Sequence, residues 1–133
     1  MYVTPLYAGI LAVWFLVLSW RVVRLRTHGM AFGDNGDVNV IRVIRAQSNF
    51  AEYVPLALLM MGFLEVTRFS IYLLHAFGIT LLVARLAHGA ALSFGWQQRF
   101  GRVAGATLTF IVLFIEAVLC VYQGLRGHSL WFQ

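Results

Sequence analysis

Four polar side chains recur along one predicted helix in the second quarter of the sequence. They are Arg42, Arg45, Asn49 and Glu52, at spacings of three, four and three residues. At about 100° per residue they fall within roughly an 80° arc, which is one face of one helix. Arginine binds carboxylates through paired hydrogen bonds, glutamate can hold an ammonium group, and asparagine both donates and accepts. This face, the polar stripe, is predicted to bind a small carboxylate ligand that can also carry an amine.

A structural ion-pair network is the alternative interpretation of the polar stripe, because such networks also line up charged residues. Arg45 and Glu52 could pair with each other or with Arg85, which lies among apolar residues of the next helix. Glu52 is the expected partner of Arg85. His88, three residues further on, is as consistent with packing as with ligand contact. Glu116 lies away from the stripe, where we expect a structural hydrogen bond or a raised pKa.

The elements that must position these residues are membrane-spanning helices. Hydrophobic residues make up 61% of the 133 residues and charged residues only 11%. A helix needs roughly 20 apolar residues to cross the hydrocarbon core. Four stretches approach that length, at about 2–20 (with a polar extension to 26), 38–65, 71–92 and 100–125. We therefore predict an all-α membrane protein, a four-transmembrane-helix bundle formed by one domain over residues 1–133.

The charge distribution excludes some function classes and suggests an orientation. The net charge is +5 and every basic residue apart from histidine is arginine. These arginines lie mainly at helix ends, which indicates orientation by the positive-inside rule rather than nucleic-acid binding. Both termini are predicted outside and the two longer loops in the cytoplasm. The single cysteine, Cys120, is expected to be apolar filler.

Local signals predict how the helices begin, bend and pack. Asp37 or Asn39 can cap the second helix, and Pro55 should kink it or leave a carbonyl free. The connection at 66–70 is short enough for an antiparallel hairpin, whereas 93–99 is predicted to be a loop. Small residues that favour close helix contacts are Gly101, Ala104 and Gly105 on the fourth helix and Gly89, Ala90 and Ala91 on the third.

Motifs for other chemistries are lacking in the sequence. It has no HExxH, no paired cysteines and no clustered carboxylates for a metal. No serine stands in a nucleophile context, and no glycine-rich phosphate loop is present. Metal binding is therefore not predicted.

The run from Arg42 to Leu56, RVIRAQSNFAEYVPL, resembles the signature of the MAPEG family, the membrane-associated proteins in eicosanoid and glutathione metabolism. It is similar to the leukotriene C synthase branch, and the family also includes microsomal glutathione transferases. The segments GDNGD, ARLAHG and RFGRVAG resemble bacterial members. The resemblance implies a homotrimer of four-helix protomers that binds glutathione between protomers near the cytoplasmic face. Family members conjugate glutathione to lipophilic electrophiles, reduce lipid hydroperoxides or isomerise a lipid endoperoxide.

Carried over by motif position, the resemblance implies a set of site residues. Arg102 or Arg24 would activate the glutathione thiol, with Arg21 as another candidate at the end of the first helix. The residues implied in glutathione binding are Arg42, Arg45, Gln47, Asn49, Glu52, Tyr53, Arg85, His88 and Arg99. Two tyrosines of the leukotriene type are replaced by His88 and Leu92, and an arginine of the prostaglandin type by Ser48. These departures bear on the reaction more than on glutathione binding.

The sequence therefore supports two functional hypotheses. The first is a glutathione transferase or peroxidase that uses glutathione as co-substrate and acts on lipophilic molecules entering from the lipid bilayer. Its expected location is a bacterial inner membrane, with the active site toward the cytoplasm. The second is a non-catalytic membrane protein of the same fold, whose polar stripe serves packing or binds another anion. No nucleic-acid partner is expected.

Overall fold

Four long helices make up the part of the chain described by the computed structural model, which covers residues 2–26, 34, 36–95 and 98–130, without the side chains of 98 and 127–130. They are α1 (Val3–Arg26), α2 (Val38–Val66), α3 (Ile71–Phe94) and α4 (Gln98–Leu130). Each contains a window long and apolar enough to cross a membrane. The predicted all-α four-helix fold is confirmed. The segment between the first two helices, at 27–37, lies largely outside the described residues, and the last three residues, 131–133, lie entirely outside them.

The helix ends follow the local sequence signals, with one correction. Asp37 caps α2, since its carboxylate accepts the backbone N–H of Asn39 at 2.7 Å. Pro55 lies inside α2, which continues through it to Val66. The predicted loop at 93–99 is too long, because α3 extends to Phe94 and α4 already begins at Gln98. Gly95 ends α3 in the left-handed conformation, with φ of 74°, which glycine adopts without a Cβ clash.

Two glycines of α4 allow it to lie directly against α3. A Cβ at position 105 would lie 2.5 Å from the carbonyl oxygen of Ala84, and one at 101 would lie 3.0 Å from that of Ala87. These backbone approaches confirm the predicted contacts of Gly101 and Gly105. Gly89 has a different role, because it faces the indole of Trp14 on α1. Both α1 and α4 are thus packed closely against α3.

The N-terminus of α1 is capped by a side chain from the far end of α2. The carboxylate of Glu65 accepts the backbone N–H groups of Val3 and Thr4, the second at 2.8 Å. The first N–H groups of a helix have no partner within it, and the positive end of the helix dipole favours an anion there. Glu65 therefore ties the start of α1 to the hairpin between α2 and α3.

Replacing Glu65 with alanine should lower the free energy of unfolding by about 1 kcal/mol, the usual cost of losing a helix cap. Thermal unfolding in a neutral detergent measures the effect. The exposed Glu52 lies on the same helix, so Glu52→Ala is a control with the same change in charge. Equal midpoints for the two variants would show that the cap contributes nothing.

Candidate functional site

Arg85 of α3 lies at the centre of the candidate site. Its side chain is only 2% exposed, and its Nη1 donates a hydrogen bond of 2.7 Å to Oδ1 of Asn49 on α2. Its guanidinium also lies 5.5 Å from the ring centroid of Tyr53, within range of a cation–π contact. The indole N–H of Trp14 on α1 donates to the Arg85 carbonyl at 3.2 Å. Both the backbone and the side chain of Arg85 are therefore positioned by neighbouring helices.

The expected pairing of Arg85 with Glu52 is wrong. Asn49 takes that place because it lies one helical turn before Tyr53, on the part of α2 that faces α3. Glu52 and Arg45, at the other side of the polar stripe, are exposed in the single chain. The stripe is thus divided into an inner edge, where Asn49 is already hydrogen-bonded within the chain, and an outer edge of two opposite charges, Arg45 and Glu52, that is exposed.

The α4 side of the site is formed by aromatic and small residues. The ring of Tyr53 packs edge-on against Phe110 of α4, with centroids 5.3 Å apart. His88, one turn after Arg85, is 5% exposed and packs beneath Gly105. The basic residues of α4, Arg99 and Arg102, are exposed in its first turns. Both are thus exposed in the single chain, in contrast to the buried Arg85.

Other residues implied in the glutathione site lie on the opposite face of α2 or line separate cavities. Gln47 is half-buried, and its position two residues from Arg45 and from Asn49 places it on the opposite face of α2. Arg24 is exposed at the end of α1, on the wall of an open cavity of about 700 Å³ that Asp37 also lines. Arg42 lines a second cavity of about 410 Å³. The structure therefore brings together Asn49, Tyr53 and Arg85.

Arg21 has a structural role at the end of α1. Its Nη2 donates to the carbonyl oxygen of Ser93, and its guanidinium lies 4.1 Å from the centroid of the Phe94 ring. It therefore caps the C-terminal end of α3, where free carbonyls attract a cation. The sequence had suggested Arg21 only as an alternative to Arg24.

Two further polar groups lie toward the other end of the bundle. The hydroxyl oxygen of Tyr7 and Nδ1 of His75 lie 3.0 Å apart, within hydrogen-bond distance. Glu116 is fully buried in α4, and neither carboxylate oxygen has a hydrogen-bond partner among the described residues. The structural hydrogen bond expected for Glu116 is thus not found in that part of the chain. The described residues also contain no group of three potential metal ligands.

Two residues of the site were missed by sequence reasoning. Trp14 holds the Arg85 carbonyl, and Phe110 supports Tyr53. Both are aromatic residues within apolar spans, where they are indistinguishable from lipid-facing or core residues. Only the rotation of each helix about its axis shows that they face the site.

The fold and the site define a class: a membrane protein of four helices whose second helix carries a polar stripe. Residues 4–122 match the family model described as "MAPEG family". Two curated relatives are each 34% identical over 116 residues, covering 85% of this chain and 86% of theirs. Both carry the name inner membrane protein YecN, from Escherichia coli strain K12 and from E. coli O6:H1. No solved structure matches.

The chain therefore belongs to the MAPEG family, as its sequence resemblance predicted. The match includes the polar stripe, α2 and α3 in full, and most of α1 and α4. The relatives' name describes a membrane protein and specifies no reaction.

Proposed function

We propose that this protein binds glutathione at Arg45, Asn49 and Glu52 of the polar stripe, between protomers of a homotrimer, and acts as a glutathione transferase or peroxidase on lipophilic molecules. The name of its relatives supports placement in a bacterial inner membrane. In the proposed orientation, the site faces the cytoplasm and the second substrate enters from the bilayer.

The observation that carries the proposal is the outward exposure of Arg45 and Glu52. Glu52 is the fifteenth of 29 residues in α2, so it lies about 21 Å from the start of the helix at roughly 1.5 Å per residue. A charged side chain facing lipid at mid-span costs a few kcal/mol, about 2.5–3.5 on insertion scales. Such charges need protein, water or a ligand against them. A neighbouring protomer with bound ligand would supply two of these, protein and ligand.

The chemistry of the stripe matches the proposed ligand. Glutathione has two carboxylates and one ammonium group. Arg45 offers a guanidinium fork to a carboxylate, and Glu52 an acceptor to the ammonium. Asn49 keeps its amide N–H₂ available, since its Oδ1 is the atom engaged by Arg85. The fixed Arg85 adds a buried positive charge behind them.

A non-catalytic protein of the same fold is the second candidate, and the Arg85–Asn49 hydrogen bond favours it. That bond already satisfies part of the stripe without any ligand. The two hypotheses differ in the role of the outer edge. If the stripe is purely structural, Arg45 and Glu52 bind no ligand.

Glutathione-dependent thermal stabilisation in detergent tests the proposal. At a free concentration of about 100 times the dissociation constant, glutathione should stabilise the protein by roughly 2.7 kcal/mol. Arg45→Ala and Glu52→Ala should each lose most of this stabilisation. Arg68→Ala, a change in the turn that follows α2, should keep it. Absence of any shift at millimolar glutathione, or full shifts in both stripe variants, would exclude glutathione binding at the stripe.

A further inference from the structure

A polar cavity lies between α1, α2 and α3, at the end of the bundle where α1 ends and α2 begins. Its volume is about 410 Å³, and its polar lining comes from Arg21, Asn39, Arg42 and Ser93. Ser93 and Gly95 belong to the C-terminal end of α3, whereas Asn39 belongs to the first turn of α2. No carboxylate is among its lining residues. The cavity is large enough for a small ligand.

Two residues that line this cavity carry buried polar atoms without hydrogen-bond partners among the described residues. Ser93 is only 5% exposed, yet its hydroxyl has no hydrogen bond within the described part of the chain. The buried Nε of Arg21 is likewise without one among those residues. Arg21 is held rigidly, because its Nη2 donates a hydrogen bond to the Ser93 carbonyl and its guanidinium lies over the Phe94 ring. An unsatisfied buried donor costs about 1–3 kcal/mol, so a ligand that accepts from both groups would remove that cost.

The positive charge of the residues that line the cavity favours binding of an anion. Arg21 and Arg42 share one cavity, and like charges in a confined site repel each other. The carbonyl end of α3 offsets part of the charge of Arg21, which leaves that of Arg42. Asp37 lines the adjoining cavity, but its carboxylate already accepts the backbone N–H groups of Asn39 and Val40. A multidentate oxyanion would neutralise Arg42 and accept from Ser93 and Arg21 together.

We propose that this cavity binds a phosphate group, either the phosphodiester of a lipid headgroup or inorganic phosphate. Arg42 supplies the charge, Arg21 the fixed donor, and Ser93 and Asn39 the neutral hydrogen bonds. The cavity lies within one protomer and is separate from the outer edge of the polar stripe, which Arg45 and Glu52 form. It holds its ligand whether or not glutathione is bound.

Binding of two probes tests this proposal on the full chain in an uncharged detergent. The first is inorganic phosphate, titrated at constant ionic strength, with thermal unfolding as the readout. The second is phosphatidylglycerol, compared with diacylglycerol of the same acyl chains by native mass spectrometry. We expect Arg42→Gln to weaken binding of the effective probe by about 10-fold or more, as for loss of a charged hydrogen bond. Arg26→Gln, the same charge change on an exposed residue at the end of α1, should leave binding unchanged.

Ser93→Ala provides a second variant that keeps the charge and should weaken binding about 5-fold, as for loss of one hydrogen bond. A response to phosphate identifies the free anion, and a response to phosphatidylglycerol alone identifies the headgroup. The proposal is overturned if neither probe binds or if Arg42→Gln and Arg26→Gln weaken binding equally. It is also overturned if Ser93→Ala binds like the parent or if glutathione competes with the probe.

Discussion

Replacing Gly105 with alanine should lower the free energy of unfolding by about 2 kcal/mol, within the usual range for overpacking a tight contact. The added Cβ would lie 2.5 Å from the carbonyl oxygen of Ala84 and 2.8 Å from the Cβ of His88. The first of these is backbone, which cannot rotate away, so α4 must move off α3. The expected loss exceeds the gain of up to about 1 kcal/mol that alanine brings within a helix.

Thermal unfolding in detergent measures this change, and Gly62→Ala is the matched control. A Cβ at position 62 meets only the Thr4 methyl group, at the ordinary distance of 3.9 Å. Gly62→Ala should therefore be neutral or slightly stabilising. Equal stability of the two variants would mean that α3 and α4 are not held at backbone distance. Because His88 lies beneath Gly105, Gly105→Ala should also disturb the site.

The four helices could be predicted because a membrane span needs a long apolar segment, and such segments are visible in one dimension. The Asp37 cap and the contacts of Gly101 and Gly105 were likewise predictable, since each depends on the residue itself and its immediate neighbours. The end of α3 was placed too early. Ser93 and Phe94 look like loop residues by composition, but Arg21 caps the Ser93 carbonyl and stacks on Phe94. That stabilisation comes from another helix.

The polar stripe was predictable for the same reason as the helices, because helical periodicity alone places Arg42, Arg45, Asn49 and Glu52 on one face. The partner of Arg85 was not. Choosing between Asn49 and Glu52 requires the rotation of α2 relative to α3, and contacts across the bundle set that rotation. The 80° arc covers roughly a quarter of the helix circumference. It can therefore include both inward-facing and outward-facing residues. Periodicity cannot divide such an arc.

Replacing Arg102 with alanine should abolish the thiolate of bound glutathione at neutral pH and slow conjugation by about 100-fold, the lower range for loss of one charge-stabilising donor. This prediction rests on the proposed glutathione site. Arg102 is exposed in the single chain, but the adjacent Gly101 packs on the Ala87 backbone of α3. The Arg102 backbone is thus held close to a rigid contact. A fixed backbone of this kind is needed if the Arg102 guanidinium is to be directed at a ligand bound by a neighbouring protomer.

The pH dependence of thiolate absorbance makes the role of Arg102 measurable. A nearby cation stabilises the thiolate and lowers the pKa of the glutathione thiol, so the thiolate persists to lower pH. Removing Arg102 should move the titration midpoint upward by at least about 1 pH unit, which corresponds to 1.36 kcal/mol. Arg126→Ala, on the same helix but near its other end, is the control and should leave the midpoint unchanged. If Arg102→Ala also leaves it unchanged and Arg24→Ala raises it, then α1 of a neighbouring protomer, rather than α4, carries the activating charge.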